Sequence, residues 1–384
     1  MSETALRIGI AGSGFAARFH HKNLRGLPAV TTGVTSPRRA SREAFAREFG
    51  VRAFDSLGEM LREIDVLDVC TPPSSHAACI RTAAAAGKDV IVEKPFHGFF
   101  GPPVEHPKEE MLAVVTAELR ELRDLVAGSG IILGYAENCV YAPSVQRERQ
   151  VIEASKAQIL RMTAEESHSG SHSPVYGIWS ESGGGSLIGK GCHPLGAVLY
   201  LKRKEGVARN GRPIRPAAVT CRTHAITRRP AFEDRGYLRT SYQDTEDYAL
   251  LHVVFDDGMV ADIMTSELVL GGVYDFVEVF ANNHRTRCHM QPVHVVDVYC
   301  PDKKEMAGMD LVEKISSNEG WIPAYPEFGW SNGQLHEMHD FVDAIGARRQ
   351  PECDFELAID VTLAIYAGYV SASRLGAGVE VPRL

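Results

Sequence analysis

The sequence predicts an α/β fold in two domains: a helix-flanked parallel sheet, then an α/β domain built on a large, mostly antiparallel open sheet. Three observations predict it. Short apolar runs alternate with helix-compatible stretches through the first 136 residues, as parallel βαβ units require. Later, alternating apolar and polar residues appear in Ala249–Phe255, Met259–Glu267 and Asp275–Ala281, with Asp256-Asp257-Gly258 as a hairpin turn. Finally, 384 residues exceed what one hydrophobic core normally serves. The expected domains are 1–137 and 138–384.

The elements follow in order. Leu6–Ala11 reads as a buried strand that runs into Gly12-Ser13-Gly14-Phe15-Ala16-Ala17 and then a helix. A second strand ends at Val34-Thr35, and a helix covers Ala40–Phe49. The strand Val66–Cys70 stops at Thr71-Pro72-Pro73; a helix over Ala77–Ala86 is closed by Gly87. Asp89–Val92 gives another strand, ending at Glu93-Lys94-Pro95, and residues 97–108 read as a loop insertion. A helix over Glu109–Ala127 and a strand over Ile131–Ala136 complete the first domain. Two helices, Leu335–Ala347 and Glu356–Leu375, close the chain on either side of Gln350-Pro351.

Composition excludes several classes of function. A formal net charge of -8 argues against a nucleic-acid partner, which a basic face usually serves. No apolar run is expected to reach the roughly 20 residues of a membrane span, and Met1–Arg7 lacks the apolar stretch of a signal peptide. The eight dispersed cysteines form no CxxC pair and read as free thiols in a reducing cytoplasm, with no metal centre expected.

Gly12-x-Gly14-x-x-Ala17 follows a strand and opens a helix, the context of a Rossmann dinucleotide-binding loop. The first glycine permits the turn, the second lets the pyrophosphate approach, and the helix N-terminus offers free N–H groups. Gly12, Ser13, Gly14, Phe15 and Ala16 are therefore expected cofactor contacts. About 20 residues on, where an NAD enzyme usually carries an acid, the chain reads Thr35-Ser36-Pro37-Arg38-Arg39. Ser36, Arg38 and Arg39 suit a 2′-phosphate, which favours NADP over NAD; the alternative is two solvated helix-start arginines.

Thr71-Pro72-Pro73-Ser74-Ser75-His76 and Gly87–Pro95 resemble the signature of the glucose–fructose oxidoreductase / inositol dehydrogenase / MocA family. The Gly12 loop with His20, the run Gly184-Gly185-Ser186-Leu187 leading to His193, and the segment Ser371–Pro382 extend the resemblance. It implies a substrate between the domains and a sheet face that builds a homo-oligomer, a dimer or tetramer. It also implies that Lys94 bonds the reacting hydroxyl, that His193 exchanges its proton, and that the bond before Pro95 is often cis. By the same resemblance Thr71, Pro72, Pro73, His76, Glu93 and Lys94 contact the cofactor, and Tyr141, His168, Trp179, Lys190 and His193 the substrate. The implied reaction is hydride transfer between a nicotinamide and a secondary hydroxyl of a sugar, cyclitol or glycoside. The alternative on the same fold is redox-neutral elimination or glycoside cleavage.

The chain also departs from the pattern. Gly189 stands where the family places an aspartate four residues before the histidine, and Val140 where an arginine is frequent. Lys190 or His168 is expected to supply the missing polar partner. The stretch Glu165-Glu166-Ser167-His168, with His172 beyond it, reads as a polar pocket, a metal site or a solvated loop. Trp321, Tyr325, Phe328, Trp330 and Asn332 flank a sugar ring or pack between the domains.

Overall fold

A computed structural model describes residues 5–171, 173, 175–291, 296–302, 304, 314 and 319–384. Six strands form the first sheet: β1 (Leu6–Ala11), β2 (Ala29–Thr35), β3 (Arg52–Ala53), β4 (Val66–Val69), β5 (Asp89–Glu93) and β6 (Leu133–Ala136). Every pairing is parallel, in the order β3-β2-β1-β4-β5-β6. Strand order reverses between β1 and β4, so their carboxyl ends open the crevice in which doubly wound sheets bind ligands. β4 and β6 are buried along their whole length, which explains their apolar character, broken only by Asp68 in β4. β3 and the helix Leu57–Leu61 left no periodic signal because they are two and five residues long.

The second sheet contains β7 (Ile159–Ser167), β8 (Pro216–His224), β9 (Tyr248–Phe255), β10 (Val260–Ser266), β11 (Tyr274–Ala281), β12 (Arg285–Gln291) and β15 (Val379–Glu380). β13 (Val296–Cys300) and β14 (Gly320–Ala324) pair apart from it. The order is β12-β11-β7-β10-β9-β8-β15, antiparallel throughout except where β7 lies parallel to β10. The Asp256–Gly258 turn joins β9 to β10 as expected.

Two helices cement the halves. Cys192–Asn210 lies against β7, β10 and β11, and Phe355–Ser373 packs on β8 and on the helices Lys108–Ser129 and Cys192–Asn210. The second of these corrects the expectation that no apolar run approaches a membrane span. Its 19 residues are long and apolar enough, yet 89% of its apolar window is buried inside the fold. A core helix covered on all sides needs no polar face. Cys192–Asn210 is likewise buried nearly all round, and Pro194 and Gly196 disguise its first turns in the sequence. All eight cysteines are free, seven of them buried.

Candidate active site

The Gly12 loop has the geometry its residues suggest. Gly12 sits at φ +109°, where a Cβ would lie 2.3 Å from the Cys70 carbonyl oxygen. A Cβ on Gly14 would meet nothing within 4 Å, and the helix Phe15–Asn23 that it opens has no side-chain cap. Uncapped N–H groups facing open space at the switch point fit a dinucleotide pyrophosphate. Phe15, 65% exposed, stands beside this opening. Arg18 braces the loop by donating to the Ser13 carbonyl at 2.8 Å.

At the end of β2, Arg42 donates to the Ser36 carbonyl (3.1 Å) and to Asp55 (2.5 Å), fixing the turn from below. Arg39 pairs with Glu43 one helical turn on, at 2.7 Å, on the surface. Arg38 is exposed and has no ion pair among the described residues, so its guanidinium is the one available at this turn.

Buried charge organises the ends of β4 and β5. His20 Nδ1 donates to Asp68 at 2.9 Å, and Nε2 donates to Glu93 at 3.1 Å. Burial opposes a charge on His20, but Asp68 and Cys70 together outweigh it and hold the imidazole well above its usual value. Glu93 is pushed up by burial and pulled further down by His20, ending below the ordinary range. Its other oxygen accepts the Lys94 backbone N–H at 2.8 Å, so the same network carries the first residue of the Lys94–Pro95 pair, whose bond is cis.

Lys94 Nζ donates to the Gly189 carbonyl at 3.2 Å and lies 5.8 Å from the centre of the Tyr176 ring. Burial disfavours its charge, while Tyr176, Cys192, Glu166 and Glu93 together keep it well above the ordinary ammonium value. Lys94 is therefore a fixed cation. It can stabilise an alkoxide but is a poor base.

The glycine run is held by Glu246, whose carboxylate accepts from the Gly185 and Leu187 N–H groups and from the Tyr369 hydroxyl. A Cβ on Gly185 would sit 2.2 Å from the Glu246 carbonyl oxygen, so only glycine threads this gap. The turn leads into the helix that carries His193. His193 Nδ1 lies 2.5 Å from Glu137 Oε1, at the carboxyl end of β6. Gly196, one turn beyond, makes the approach possible: a Cβ there would press to 2.8 Å on Glu137 Cγ. On the other side of the ring, Nε2 is 3.9 Å from Glu166 Oε2.

Several expected residues lie elsewhere. Lys190 is buried in an ion pair with Glu267 and donates to Ser171 at 3.0 Å; it does not reach His193. His168 is also on the Glu267 side, with Nδ1 3.9 Å from that carboxylate and accepting from Gly170 N–H. Neither supplies the partner expected in place of Gly189. The carboxylate against His193 Nδ1 is Glu137, because β6 ends under the histidine helix, while Lys190 turns to Glu267. A side chain at 189 would press on the Tyr176 ring at 3.2 Å.

Tyr141 was expected near the substrate, but its hydroxyl is taken by Asp340 and the Cys353 N–H. Trp179, 3% exposed, donates to the Phe99 carbonyl and packs beneath Lys108 and against Tyr369. Both side chains are engaged within the fold. His76 is buried between the Thr71 and Phe96 carbonyls, 2.9 and 3.2 Å from its ring nitrogens; burial lowers it, and a neutral ring donates to one of the two. Thr71 accepts from Ser75 Oγ at 2.7 Å, with Pro72 exposed and Pro73 buried beside it. Phe328 stacks on Phe19, and Gly329 fits against Asn23, so this aromatic segment packs between the domains. Trp321 pairs with Tyr299 on the exposed β13–β14 hairpin. His172 lies outside the described residues.

Among the described residues, two groups offer metal-ligating atoms within 4.8 Å: His20, Asp68 and Cys70, and Glu137, Cys192 and His193. They do not fit a resident ion. In each, the imidazole already bonds a carboxylate, and burial pushes the thiol up, away from the thiolate a metal needs.

Sequence reasoning missed Glu137, although ligands gather at strand carboxyl ends in open α/β sheets and it stands at the end of β6. It also gave no role to Asp275, which faces Glu166 across β11 and β7.

Residues 6–100 match the family model described as "Oxidoreductase family, NAD-binding Rossmann fold". The UDP-N-acetylglucosamine 3-dehydrogenase of Acidithiobacillus ferrooxidans is 33% identical over 91 residues, 24% of this chain and 29% of that protein. The mouse trans-1,2-dihydrobenzene-1,2-diol dehydrogenase is 27% identical over 210 residues, 52% and 58% of the two chains. The chain thus spans less than two thirds of the length of these curated relatives. The crystal structure of GenD2 from gentamicin A biosynthesis in complex with NAD superposes with a TM-score of 0.81 at 22% identity, covering 100% of this chain and 98% of that one, a likeness of fold. Residues 6–100 are thus similar to the NAD-binding Rossmann segment of the glucose–fructose oxidoreductase / inositol dehydrogenase / MocA oxidoreductases.

Proposed function

We propose that this protein is an NAD(P)-dependent dehydrogenase acting on a secondary hydroxyl of a sugar, cyclitol or glycoside. The observation that carries the reading is the convergence of two elements. Lys94, from the end of β5, reaches the turn at Gly189, three residues before the helix Cys192–Asn210 that holds His193. The dehydrogenases among its relatives support the class of reaction, and the Gly12 loop supports the cofactor.

When bound, the nicotinamide accepts the hydride that leaves the carbinol carbon. The protein's part is the proton and the charge. Lys94, held cationic, donates to the reacting oxygen and stabilises it as it becomes an alkoxide. His193 Nε2 takes the hydroxyl proton, while Glu137 fixes the ring through Nδ1 and balances the imidazolium. Arg38 with Ser36 favours NADP(H) over NAD(H). We place the domain boundary at 137/138 and infer a cytoplasmic homo-oligomer.

The test is a screen of sugars, cyclitols and glycosides with NAD and NADP, following nicotinamide absorbance. Net accumulation of reduced cofactor with at least one ring polyol is expected. Conversion of a glycoside with no net absorbance change would instead favour redox-neutral chemistry.

A further inference from the structure

Glu166 lies near the end of β7, opposite Asp275 on β11 and Thr265 on β10. Its face of the sheet is covered by the helix that carries His193. The carboxyl group is buried, and Oε2 has no hydrogen-bond partner among the described residues. An isolated buried carboxylate oxygen costs stability unless something completes its bonding. The nearest candidate is His193 Nε2, and 3.9 Å is too long for a direct hydrogen bond. It is, however, a separation that one oxygen atom bridges, lying about 2.8 Å from each. His193 Nδ1 is already committed to Glu137, so Nε2 is the only ring atom free to serve such an oxygen.

From this geometry we infer that Glu166 is a catalytic residue: the carboxylate that stands in for the side chain absent at Gly189, touching the reacting hydroxyl together with His193 Nε2 and Lys94 Nζ. The inference rests on the dehydrogenase reading above and adds a residue to it. The hydroxyl oxygen sits in the gap between Nε2 and Oε2. As the carbinol C–H electron pair leaves as hydride to the oxidised nicotinamide, the O–H proton passes to this pair and the carbonyl π bond forms. The products are a ketone, reduced nicotinamide and one proton, which rests on His193 Nε2 or on Glu166 before it reaches solvent.

The surroundings suit this task. Burial raises Glu166 above the ordinary carboxylate range, opposed by His193, Lys94 and Lys190 and reinforced by Glu137. Asp275, directly across the strand pair, is raised well above its ordinary value by burial and by Glu166. Like-charged neighbours raise one another, so the pair resists carrying two negative charges. A carboxyl raised above its ordinary range is a better proton acceptor than a solvated one, which suits a general base.

The first test needs no cofactor. Infrared titration of the wild-type protein and the Glu166→Gln variant should isolate one carboxyl band that persists above the ordinary carboxylate range and then disappears with rising pH. A Glu166 that is ionised throughout is a fixed counter-ion, and the proposal falls. The second test uses the cofactor-loaded enzyme. Glu166→Gln should bind NAD(P)H as wild type does, lose about 100-fold in kcat, and lose the acidic limb of the pH profile, with Glu166→Asp recovering part of both. An unchanged profile in Glu166→Gln would overturn the assignment. If wild type binds no NAD(P)H, the dehydrogenase reading fails by itself, and the infrared result still judges Glu166.

Discussion

His193 Nδ1 and Glu137 Oε1 lie 2.5 Å apart, both side chains buried, one on a helix of the second domain and the other at the last turn of the first sheet. This contact sets the tautomer: with the proton on Nδ1, Nε2 is the ring atom left to accept one. Glu137→Gln preserves shape but carries no charge to balance the imidazolium that forms. The expected outcome is a kcat loss of about 10²–10⁴-fold with nearly unchanged NAD(P)H affinity. Steady-state kinetics beside a fluorescence titration checks it, and full activity would remove Glu137 from the proton path.

The two loop glycines should fail in different ways. Gly14→Leu adds a side chain into open space, so the protein should melt as wild type does while losing dinucleotide binding. Gly12→Ala forces a Cβ at φ +109° onto the Cys70 carbonyl and should destabilise the fold by at least about 1–3 kcal/mol. Thermal melts with NAD(P)H titrations separate the two.

Cofactor preference should depend on Arg38 more than on Arg39. Arg38 carries the unpaired guanidinium, whereas Arg39 is engaged with Glu43. A charge-assisted contact contributes about 1.5–3 kcal/mol, so Arg38→Ala should weaken NADP(H) binding roughly 10- to 150-fold and leave NAD(H) unchanged. Dissociation constants for both cofactors at equal salt decide it. A wild-type preference for NAD(H) would end the 2′-phosphate assignment.

Lys190 should matter for folding. Replacing it by methionine leaves Glu267 buried without its partner and should cost about 3–5 kcal/mol in urea unfolding. The double variant Lys190→Met/Glu267→Gln should regain part of that loss. A single variant of wild-type stability that is inactive would return Lys190 to the active site.

The His20 bridge predicts a pH dependence of stability. Its pKa is raised in the folded state, so its contribution is complete below the unfolded value of about 6.5 and fades as pH climbs through the raised folded value. The deficit of His20→Gln relative to wild type should be largest near pH 6 and narrow at alkaline pH. Urea melts across that range measure it. A constant deficit would mean that packing, and not charge, joins Asp68 to Glu93.

The sequence by itself determined what depends on neighbours along the chain. A strand, two glycines and a helix start define the Gly12 loop because backbone geometry over a few residues leaves little choice. The same holds for Lys94 at the end of β5, and for the alternation that marks β9, β10 and β11. Tertiary structure decided which side chains meet. His193 and Glu137 are 56 residues apart, and only the docking of the helix Cys192–Asn210 over the end of β6 joins them. The register of β7 against β10 and β11 sets Glu166 opposite Asp275, and a slip of one residue would present Glu165 to the histidine instead. Lys190, Tyr141 and Trp179 carry chemistry suited to a substrate, yet Glu267, Asp340 and the Phe99 carbonyl claim them, because buried polar groups bond to whatever the fold brings within reach.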